Sequence, residues 1–396
     1  MRDVYILSAV RSAIGRFGGS LKEVGPADLA APVMRTALDR ASVDGDSLDL
    51  IVFGNVLRAG HGQLVPRQAA IKAGIPLHVD ALAVDMVCSS GMMSVMTASS
   101  MIRAREAEVM LAGGVESMSG AGFFLSSAAR WGYKYVPGDR EPVRDVLYRD
   151  GLSDPMSGES MGEQTERLIE EAGIQRGALD EVAAASHERA HKATQEDAFS
   201  SEIVPITCRI RGKTHELRHD EGIRPDTTRE TLSRLRPAFR KDGALTAGNS
   251  SQISDGAAAL VIASGDFVSA HGLKPIARLI AGSWAAREPW RFLEAPVDAV
   301  RTLLNNVSLS AHDVDLYENN EAFAVSSVLF HRRLGVAYDK LNVHGGAIAL
   351  GHPIGCSGAR ILVTLLCALS RHDAHRGIAT LCHGTGGGTA VAVERT

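Results

Sequence analysis

The sequence has few cysteines, little net charge and no long apolar run. The chain of 396 residues has five cysteines, an odd number, and no Cys-x-x-Cys pair. This argues against a disulfide framework or a zinc site and favours reduced thiols in a cytoplasm. No apolar run is long enough to cross a bilayer, and the N-terminal residues lack the pattern of a signal peptide. We therefore expect a cytoplasmic protein with neither a metal nor a membrane partner.

The net charge of the chain argues against nucleic acid as a partner. The net charge is −4, whereas proteins that bind polyanions are usually basic. Residues 209–241 are the local exception, with ten Lys or Arg against five Asp or Glu. Such a run is usually a solvated surface, and the composition alone assigns it no ligand.

Short β-branched runs alternate with longer helical patterns. Strands are predicted at 3–8, 49–54 and 107–114, and a helix is predicted over 26–41 with Pro26 in its first turn. This alternation predicts an α/β protein with buried sheets.

A small-residue turn that runs into an apolar helix occurs twice, from Cys88 and from Gly355, and a strand follows each time. We therefore predict two similar halves, 1–268 and 269–396, whose turns meet face to face; chance similarity of glycine-rich turns is the alternative. Residues 118–247 are too many for an ordinary connection. We interpret them as a lid or substrate-binding subdomain inserted in the N-terminal half.

Two of the motifs offer a nucleophile and an acid/base group. Cys88 opens a Ser-Ser-Gly turn at a predicted helix N-terminus, where the helix dipole would stabilise a thiolate and lower the thiol pKa. A buried, inert cysteine is the alternative. His352 lies between Gly351 and Pro353 in a glycine-rich loop, where it is either an acid/base group or a structural histidine.

Two further motifs could stabilise an oxyanion. Cys382 ends a strand before the turn His-Gly-Thr-Gly-Gly-Gly, whose N–H groups could hold negative charge. That turn lacks the Gly-Lys-Ser/Thr ending of a phosphate loop and precedes a strand, so we exclude a phosphate loop. Asn319 and Asn320 follow another strand, where an amide can hold a water or polarise a carbonyl, or simply form a turn.

Taken together and in order, the motifs resemble those of the thiolase family, which includes acetyl-CoA acetyltransferases and 3-ketoacyl-CoA thiolases. The resemblance covers essentially the whole chain and rests on RSAIGRFGGSL, VCSSGMM, GGVESMS, TAGNSSQISDGAAA, NEAFA and GGAIALGHPIGCSGAR. It implies a thiolase-like α/β fold of duplicated halves, with layers of helices and two mixed sheets. It also implies a homo-oligomer, a dimer or a dimer of dimers.

The activity implied by the resemblance belongs to fatty acid metabolism. It is the reversible Claisen condensation of acyl-CoAs, or the CoA-dependent thiolysis of 3-ketoacyl-CoA, through an acyl-cysteine. Coenzyme A would be a substrate, and no cofactor would be needed. The alternatives are another condensing enzyme of the same fold, of the ketoacyl synthase or hydroxymethylglutaryl-CoA synthase type, and a non-catalytic thiolase-like scaffold subunit.

The resemblance also gives roles to individual residues. Cys88 would be acylated, His352 would take its proton, and Cys382 would be the base at the α-carbon. Asn320, through a water, and His352 would form one oxyanion hole, and the N–H groups of Cys88 and Gly384 would form the other. Carbon–carbon bond formation from a thioester needs such a carrier, base and oxyanion sites. Contacts to CoA or the acyl chain would come from Met161, Arg224, Thr231, Ala247, Ser251 and Phe323.

Three positions depart from the family pattern. His344 replaces an asparagine, and Thr385 stands where a glycine is usual in the C-terminal turn. Ser160 stands where many biosynthetic thiolases have a histidine, which favours a degradative or broad-chain enzyme.

Overall fold

The computed structural model describes residues 2–132 and 143–396 as an α/β protein. Its strands are β1 (Val4–Ser12), β2 (Gly15–Arg16), β3 (Leu50–Gly54), β4 (Asp80–Val84), β5 (Val109–Ser117), β6 (Phe123–Phe124), β7 (Arg144–Asp145), β8 (Ile203–Val204), β9 (Ile206–Ile210), β10 (Lys213–Leu217), β11 (Ser254–Ser264), β12 (Ala277–Ala286), β13 (Leu316–Asn319), β14 (Arg376–His383) and β15 (Gly387–Arg395). Its helices are α1 (Pro26–Ala41), α2 (Val65–Ala73), α3 (Ser90–Ala104), α4 (Met161–Glu171), α5 (Arg176–Gln195), α6 (Arg229–Ser233), α7 (Gly265–Ala270), α8 (Ala295–Asn306), α9 (Ala324–Leu334), α10 (Ala347–Leu350) and α11 (Ser357–Arg371).

The main sheet repeats one pattern of strands in both halves of the chain. Its order is β13-β14-β15-β12-β1-β11-β5-β3-β4. In the N-terminal half β1, β11 and β5 are antiparallel and β3 is parallel to β5. In the C-terminal half β12, β15, β14 and β13 have the same pairings. In the first strand position of each half, a helix follows the strand: α1 after β1 and α8 after β12. In the third position, a helix precedes the strand: α3 before β5 and α11 before β14. This confirms the predicted duplicated α/β halves.

The two sets of strands join into one continuous sheet. The junction is a short antiparallel pairing of β1 with β12, in which Tyr5 faces Arg278 and Ile6 faces Ala277. The two predicted mixed sheets, one in each half, are thus joined edge to edge at this pairing. Two residue pairs are too few to leave a pattern in the sequence.

Local signals set the starts of two helices. The predicted helix over 26–41 is α1, with Pro26 in its first turn. α4 begins with a capping box, in which the Ser160 hydroxyl accepts from the N–H of Glu163 and the Glu163 carboxylate accepts from the N–H of Ser160. The departure at Ser160 therefore has a structural role.

The middle region adds α4, α5, the hairpin β9–β10 and α6. Its positions 133–142 lie outside the described residues, and its assignment as an inserted subdomain stays a prediction, as do the boundaries of the two halves. In the part of the chain that the structure describes, no helix is long and apolar enough to span a membrane.

The helices α3 and α11 cross at the centre of the molecule with their backbones in contact. A Cβ added at Gly91 would lie 2.9 Å from the nitrogen of Ala359, and one added at Gly358 would lie 2.3 Å from the nitrogen of Met92. No side chain fits between the two first turns. The loops that precede the helices, which carry Cys88 and His352, are therefore held beside each other.

We expect Gly358→Ala to lower the free energy of unfolding by about 3 kcal/mol, because the added methyl group forces two packed backbones apart. Urea denaturation measures this. Gly122→Ala is the matched control, since a Cβ there meets no atom within 4 Å, and a change within about 0.5 kcal/mol is expected. A Gly358→Ala protein as stable as the wild type would show that the crossing is not tightly packed.

Candidate active site

A cavity of about 450 Å³ lies where the two halves meet the middle region. Eight of the residues predicted from the sequence line it: Cys88, Met161, Ala247, Ser251, Phe323, His352, Cys382 and Gly384. Residues more than 290 positions apart in the chain, such as Cys88 and Cys382, therefore share one site.

The turn that carries Cys88 is fixed on both sides. Val87 has a positive φ of 48°, a conformation that β-branched residues rarely adopt. The Ser90 hydroxyl holds this turn by accepting from the N–H of Met86 at 2.8 Å and donating to the carbonyl of Val87 at 2.6 Å. Thr389 of β15 donates to the Ser89 hydroxyl at 3.0 Å. The C-terminal half thus helps to position the thiol.

The predicted depression of the Cys88 pKa is wrong for this structure. Burial raises the pKa of Cys88 to about 12, although the N–H groups of Gly384 and of Cys88 itself act in the opposite direction. Loss of hydration penalises a thiolate more than these two donors stabilise it. The Cys88 sulfur therefore carries its proton at neutral pH.

His352 is held so that only one ring nitrogen can act as a base. Its Nδ1 lies 2.5 Å from the Ser357 hydroxyl, which donates its own proton to the carbonyl of Pro353 at 2.9 Å. The hydroxyl oxygen must then accept from Nδ1–H, which leaves the lone pair on Nε2. Burial, with a smaller effect of the Arg360 charge, lowers the pKa of His352 to about 3. The imidazole is therefore neutral at physiological pH.

Asn320 follows the end of β13 and lies beside this histidine. Its N–H donates to the carbonyl of Thr380 at 3.0 Å, and its Nδ2 lies 3.4 Å from Nδ1 of His352. Its Oδ1 accepts from Nη2 of Arg360 at 3.2 Å. The amide is thus anchored on its oxygen side and presents its N–H₂ group toward the imidazole.

Cys382 lies on β14, opposite Gly388 of β15, and is buried. Burial raises the pKa of Cys382 well above its ordinary value, and the nearby Cys88 adds to this. The two sulfurs are therefore close enough to interact electrostatically, and both are thiols at neutral pH. In residues 2–132 and 143–396, no cluster of three or more His, Cys, Asp or Glu is arranged to hold a metal ion.

Arg224 and Thr231 lie outside the lining described for the cavity, and both are exposed. The N–H of Arg224 donates to Nδ1 of His187 at 3.1 Å. Thr231 forms a capping box with Thr228 at the start of α6. The structure therefore separates these two positions from the cavity that holds Cys88, His352 and Cys382.

The aromatic and aliphatic wall of the cavity was not found from the sequence. It includes Tyr148, Phe239, Phe292 and Ile354. The ring of Phe239 packs edge-on against Phe323 at 5.9 Å between centroids. No motif marks these residues; only the apolar character of the cavity, which needs such side chains, could have suggested them.

Thr385 adopts the backbone conformation for which glycine is preferred. Its φ is 66°, and its side chain is exposed, with Oγ1 donating to the carbonyl of Gly384 at 2.5 Å. The extra Cβ therefore points to solvent and leaves the N–H of Gly384 facing Cys88.

Comparison with known proteins places the whole chain in one family. The family models for the thiolase N-terminal domain and the thiolase C-terminal domain match residues 4–266 and 273–395. An acetyl-CoA acetyltransferase of Synechocystis sp. is 60% identical over 395 residues, and one of Escherichia coli is 45% identical over 395 residues, each covering 100% of both chains.

Two solved structures have the same fold over the same length. The acetyl-CoA acetyltransferase of Bacillus anthracis has a TM-score of 0.96 at 40% identity and covers 100% of this chain and 99% of its own. The Acat5 thiolase of Ascaris suum, solved in complex with coenzyme A, has a TM-score of 0.92 at 37% identity, and 100% of both chains is covered.

We expect Ser357→Ala to lower the rate of any reaction that uses His352 as a base by about tenfold, part of what a general base usually contributes. The change removes the acceptor that fixes the proton on Nδ1. Steady-state kcat measures this. Ser327→Ala is the control, because the buried Ser327 hydroxyl has no hydrogen-bond partner in the described part of the chain. Equal kcat for both variants would contradict the proposed tautomer.

Proposed function

The chain belongs to the thiolase family, and we propose that it is an acyl-CoA C-acyltransferase that condenses acyl-CoAs and cleaves 3-ketoacyl-CoA with CoA. The observation that carries the proposal is the meeting of Cys88, Cys382 and His352 in one largely apolar cavity. The relatives described above are named acetyl-CoA acetyltransferases, which supports the same activity.

The first half of the reaction acylates Cys88. Its sulfur attacks the thioester carbonyl, and Nε2 of His352 accepts the thiol proton. The carbon–sulfur bond to CoA then breaks, and the departing CoA thiolate takes the proton of Cys382. Cys382 is left as a thiolate, and Nε2 of His352 keeps the proton of Cys88 as a donor for the second half. Because the pKa of Cys88 is about 12 and that of His352 is about 3, the proton stays on sulfur before attack. Proton transfer therefore accompanies bond formation, instead of preceding it.

The second half forms the carbon–carbon bond. The Cys382 thiolate left by the first half removes a proton from the α-carbon of a second acyl-CoA, and the carbanion attacks the acyl group on Cys88. The bond from this acyl group to sulfur then breaks, and Cys88 recovers its proton from Nε2 of His352. Thiolysis runs through the same steps in reverse. One thiol cannot carry the acyl group and act as the base at once, so the reaction needs both cysteines.

Two sets of donors stabilise the negative oxygens. The N–H groups of Cys88 and Gly384 serve the acyl group on Cys88, and both already act on its sulfur. Asn320 and His352, with a bound water, serve the thioester oxygen of the second substrate. Preorganised donors in a dry site have a large effect on such transition states.

Coenzyme A enters past the middle region. Met161, Ala247, Ser251 and Phe323 contact the acyl group and the pantetheine arm, since they line the cavity. Arg224 and Thr231 contact the nucleotide end at the surface. CoA is a substrate in this scheme, and no cofactor takes part.

Chain length, assembly and location belong to the same proposal. The chain acts in fatty acid metabolism in a cytoplasm, where its five free cysteines stay reduced. It forms a homodimer or a dimer of dimers: β4 ends the sheet order, and an open strand edge favours pairing with another copy. A sedimentation mass of one chain would contradict this.

Thiolysis rates against 3-ketoacyl-CoAs of increasing length define the acyl range and test whether Ser160 marks a broad-chain enzyme.

The first experiment tests the nucleophile. Cys88→Ala should abolish the mass increase of one acetyl group when the protein is incubated with acetyl-CoA. Cys208→Ala, at a buried cysteine on β9, should still be acylated. Labelling of the Cys88→Ala protein would overturn the assignment and favour a scaffold subunit that only holds CoA esters.

The second experiment tests the base. Cys382→Ser should still be acylated by acetyl-CoA, but condensation to acetoacetyl-CoA should fall by about 10²- to 10⁴-fold, as expected when a general base is lost. Condensation that instead requires an acyl-carrier protein as donor would favour a ketoacyl synthase. Unchanged condensation would remove Cys382 from the mechanism.

A further inference from the structure

We propose that the buried guanidinium of Arg360 orients the Asn320 amide for catalysis. This inference rests on the proposed function, because it concerns the oxyanion donor assigned there. No role in the reaction follows for Arg360 or Glu318 from the motifs discussed above.

Arg360 is a charged side chain in the interior. It lies in the first turn of α11 and is 0% exposed. Its one hydrogen bond to a side chain in the described residues is the bond from Nη2 to Oδ1 of Asn320, at 3.2 Å. Its Nε and Nη1 have no partner there. Burying a guanidinium costs free energy of folding because the charge loses its hydration. The presence of an arginine at this position therefore needs an explanation.

The direction of this hydrogen bond fixes the amide. A guanidinium has only N–H donors, whereas an asparagine side chain has an oxygen on one side and an N–H₂ group on the other. Only Oδ1 of Asn320 can therefore face Arg360. The N–H₂ group then points the other way, where it lies 3.4 and 3.5 Å from the two ring nitrogens of His352. A reversed amide would set its N–H₂ group against the N–H groups of Arg360, which have no lone pair to accept from it.

Glu318 is a second buried group on which the charge of Arg360 acts. It lies on β13, two residues before Asn320, is 1% exposed, and neither of its carboxylate oxygens has a hydrogen-bond partner in the described residues. Burial raises the pKa of Glu318 to about 8, although the charge on Arg360 acts in the opposite direction. The carboxyl is therefore largely protonated at neutral pH, and the charge of Arg360 is not cancelled by it. The other charged groups that act on this carboxyl are Glu321, Glu202 and Arg11.

The nearby Arg11 shows what a purely structural arginine looks like in this interior. It is also 0% exposed, but it is paired directly with Glu202 at 2.5 Å and with Asp220 at 2.7 Å. In the described residues Arg360 has no such ion pair, and its hydrogen bond goes to the neutral amide of Asn320. The contrast indicates that the guanidinium of Arg360 serves Asn320.

The same charge acts on His352. Burial lowers the pKa of His352, and the charge on Arg360 adds to this effect, so Nε2 is free to accept the proton of Cys88 before attack. One buried cation thus affects both members of the oxyanion site: it orients Asn320 and helps to keep His352 neutral in the resting enzyme.

The test compares kcat and KM for the thiolysis of acetoacetyl-CoA by CoA. Arg360→Met should lower kcat by about 10²-fold, near the effect of losing one oxyanion donor, with KM within about twofold. Arg360→Lys keeps a donor-only cation and should recover about tenfold of that loss. Acylation of Cys88 by acetyl-CoA should persist in both, since it depends on the N–H groups of Cys88 and Gly384.

A double-variant cycle separates positioning from a general structural effect. In an Asn320→Ala protein, the added Arg360→Met change should alter kcat by less than about threefold, because its target is gone. Effects that multiply in the double variant, or an Arg360→Met protein with wild-type kcat, would overturn the proposal.

A loss of folding does not leave the question open. Arg360→Met removes the positive charge that acts on Glu318, so the same assays are repeated with Arg360→Met combined with Glu318→Gln, which keeps this buried side chain neutral. Circular dichroism verifies the fold of each variant. A wild-type protein that is not acylated by acetyl-CoA would instead refute the proposed function, whatever the Arg360 variants do.

Discussion

The close approach of backbones from the two halves, at and beside the first turns of α3 and α11, is the constraint on which the candidate active site depends. Glycines form it from both halves: a Cβ at Gly54 would lie 2.5 Å from the carbonyl oxygen of Gly355, and one at Gly114 would lie 2.3 Å from the same oxygen. Backbones that approach so closely leave no freedom to slide. The buried carboxylate of Glu116 locks the arrangement, since it accepts from the N–H of Gly355 and also from the strand-end loop at Val56, at 2.9 and 3.1 Å. A duplicated fold therefore gives one site, because its two equivalent turns meet.

Burial decides the chemistry of the groups that these turns carry. The helix dipole was expected to favour a thiolate at Cys88, but α3 begins two residues later at Ser90, and the thiol lies in an apolar wall. Desolvation dominates there, and it favours the uncharged form of Cys382 and His352 as well. It raises the pKa of both thiols and lowers the pKa of the imidazole, so all three groups are uncharged. A site built of neutral groups suits a thioester, which is itself neutral until attack. Charge then develops only where N–H donors are already in place.

The sequence was sufficient for the local features and for the motif positions. The predicted helix over 26–41 has the bounds of α1, and the glycine-rich segments are the places where backbones meet. It was insufficient wherever a property depends on distant neighbours. The two-pair junction of the sheet, the acceptor role of Ser357 and the bond from Arg360 to Asn320 have no periodic pattern. The prediction of a lowered Cys88 pKa was wrong for the same reason. The dipole depends on one helix, which the sequence indicates, whereas the burial that raises the pKa depends on the whole fold.

The departure at His344 shows how the fold absorbs a change in the loop that precedes α10. Asn342, two residues earlier, makes the bonds that tie this loop to the end of β13: its Oδ1 accepts from the N–H of Asn319 at 2.8 Å, and its Nδ2 donates to Glu321 at 2.9 Å. His344 instead lies in a ring cluster, edge-on to Phe199 with centroids 5.9 Å apart. Burial lowers the pKa of His344 to about 4, so the ring packs as a neutral aromatic. Because Asn342 holds the loop, position 344 is free to serve packing.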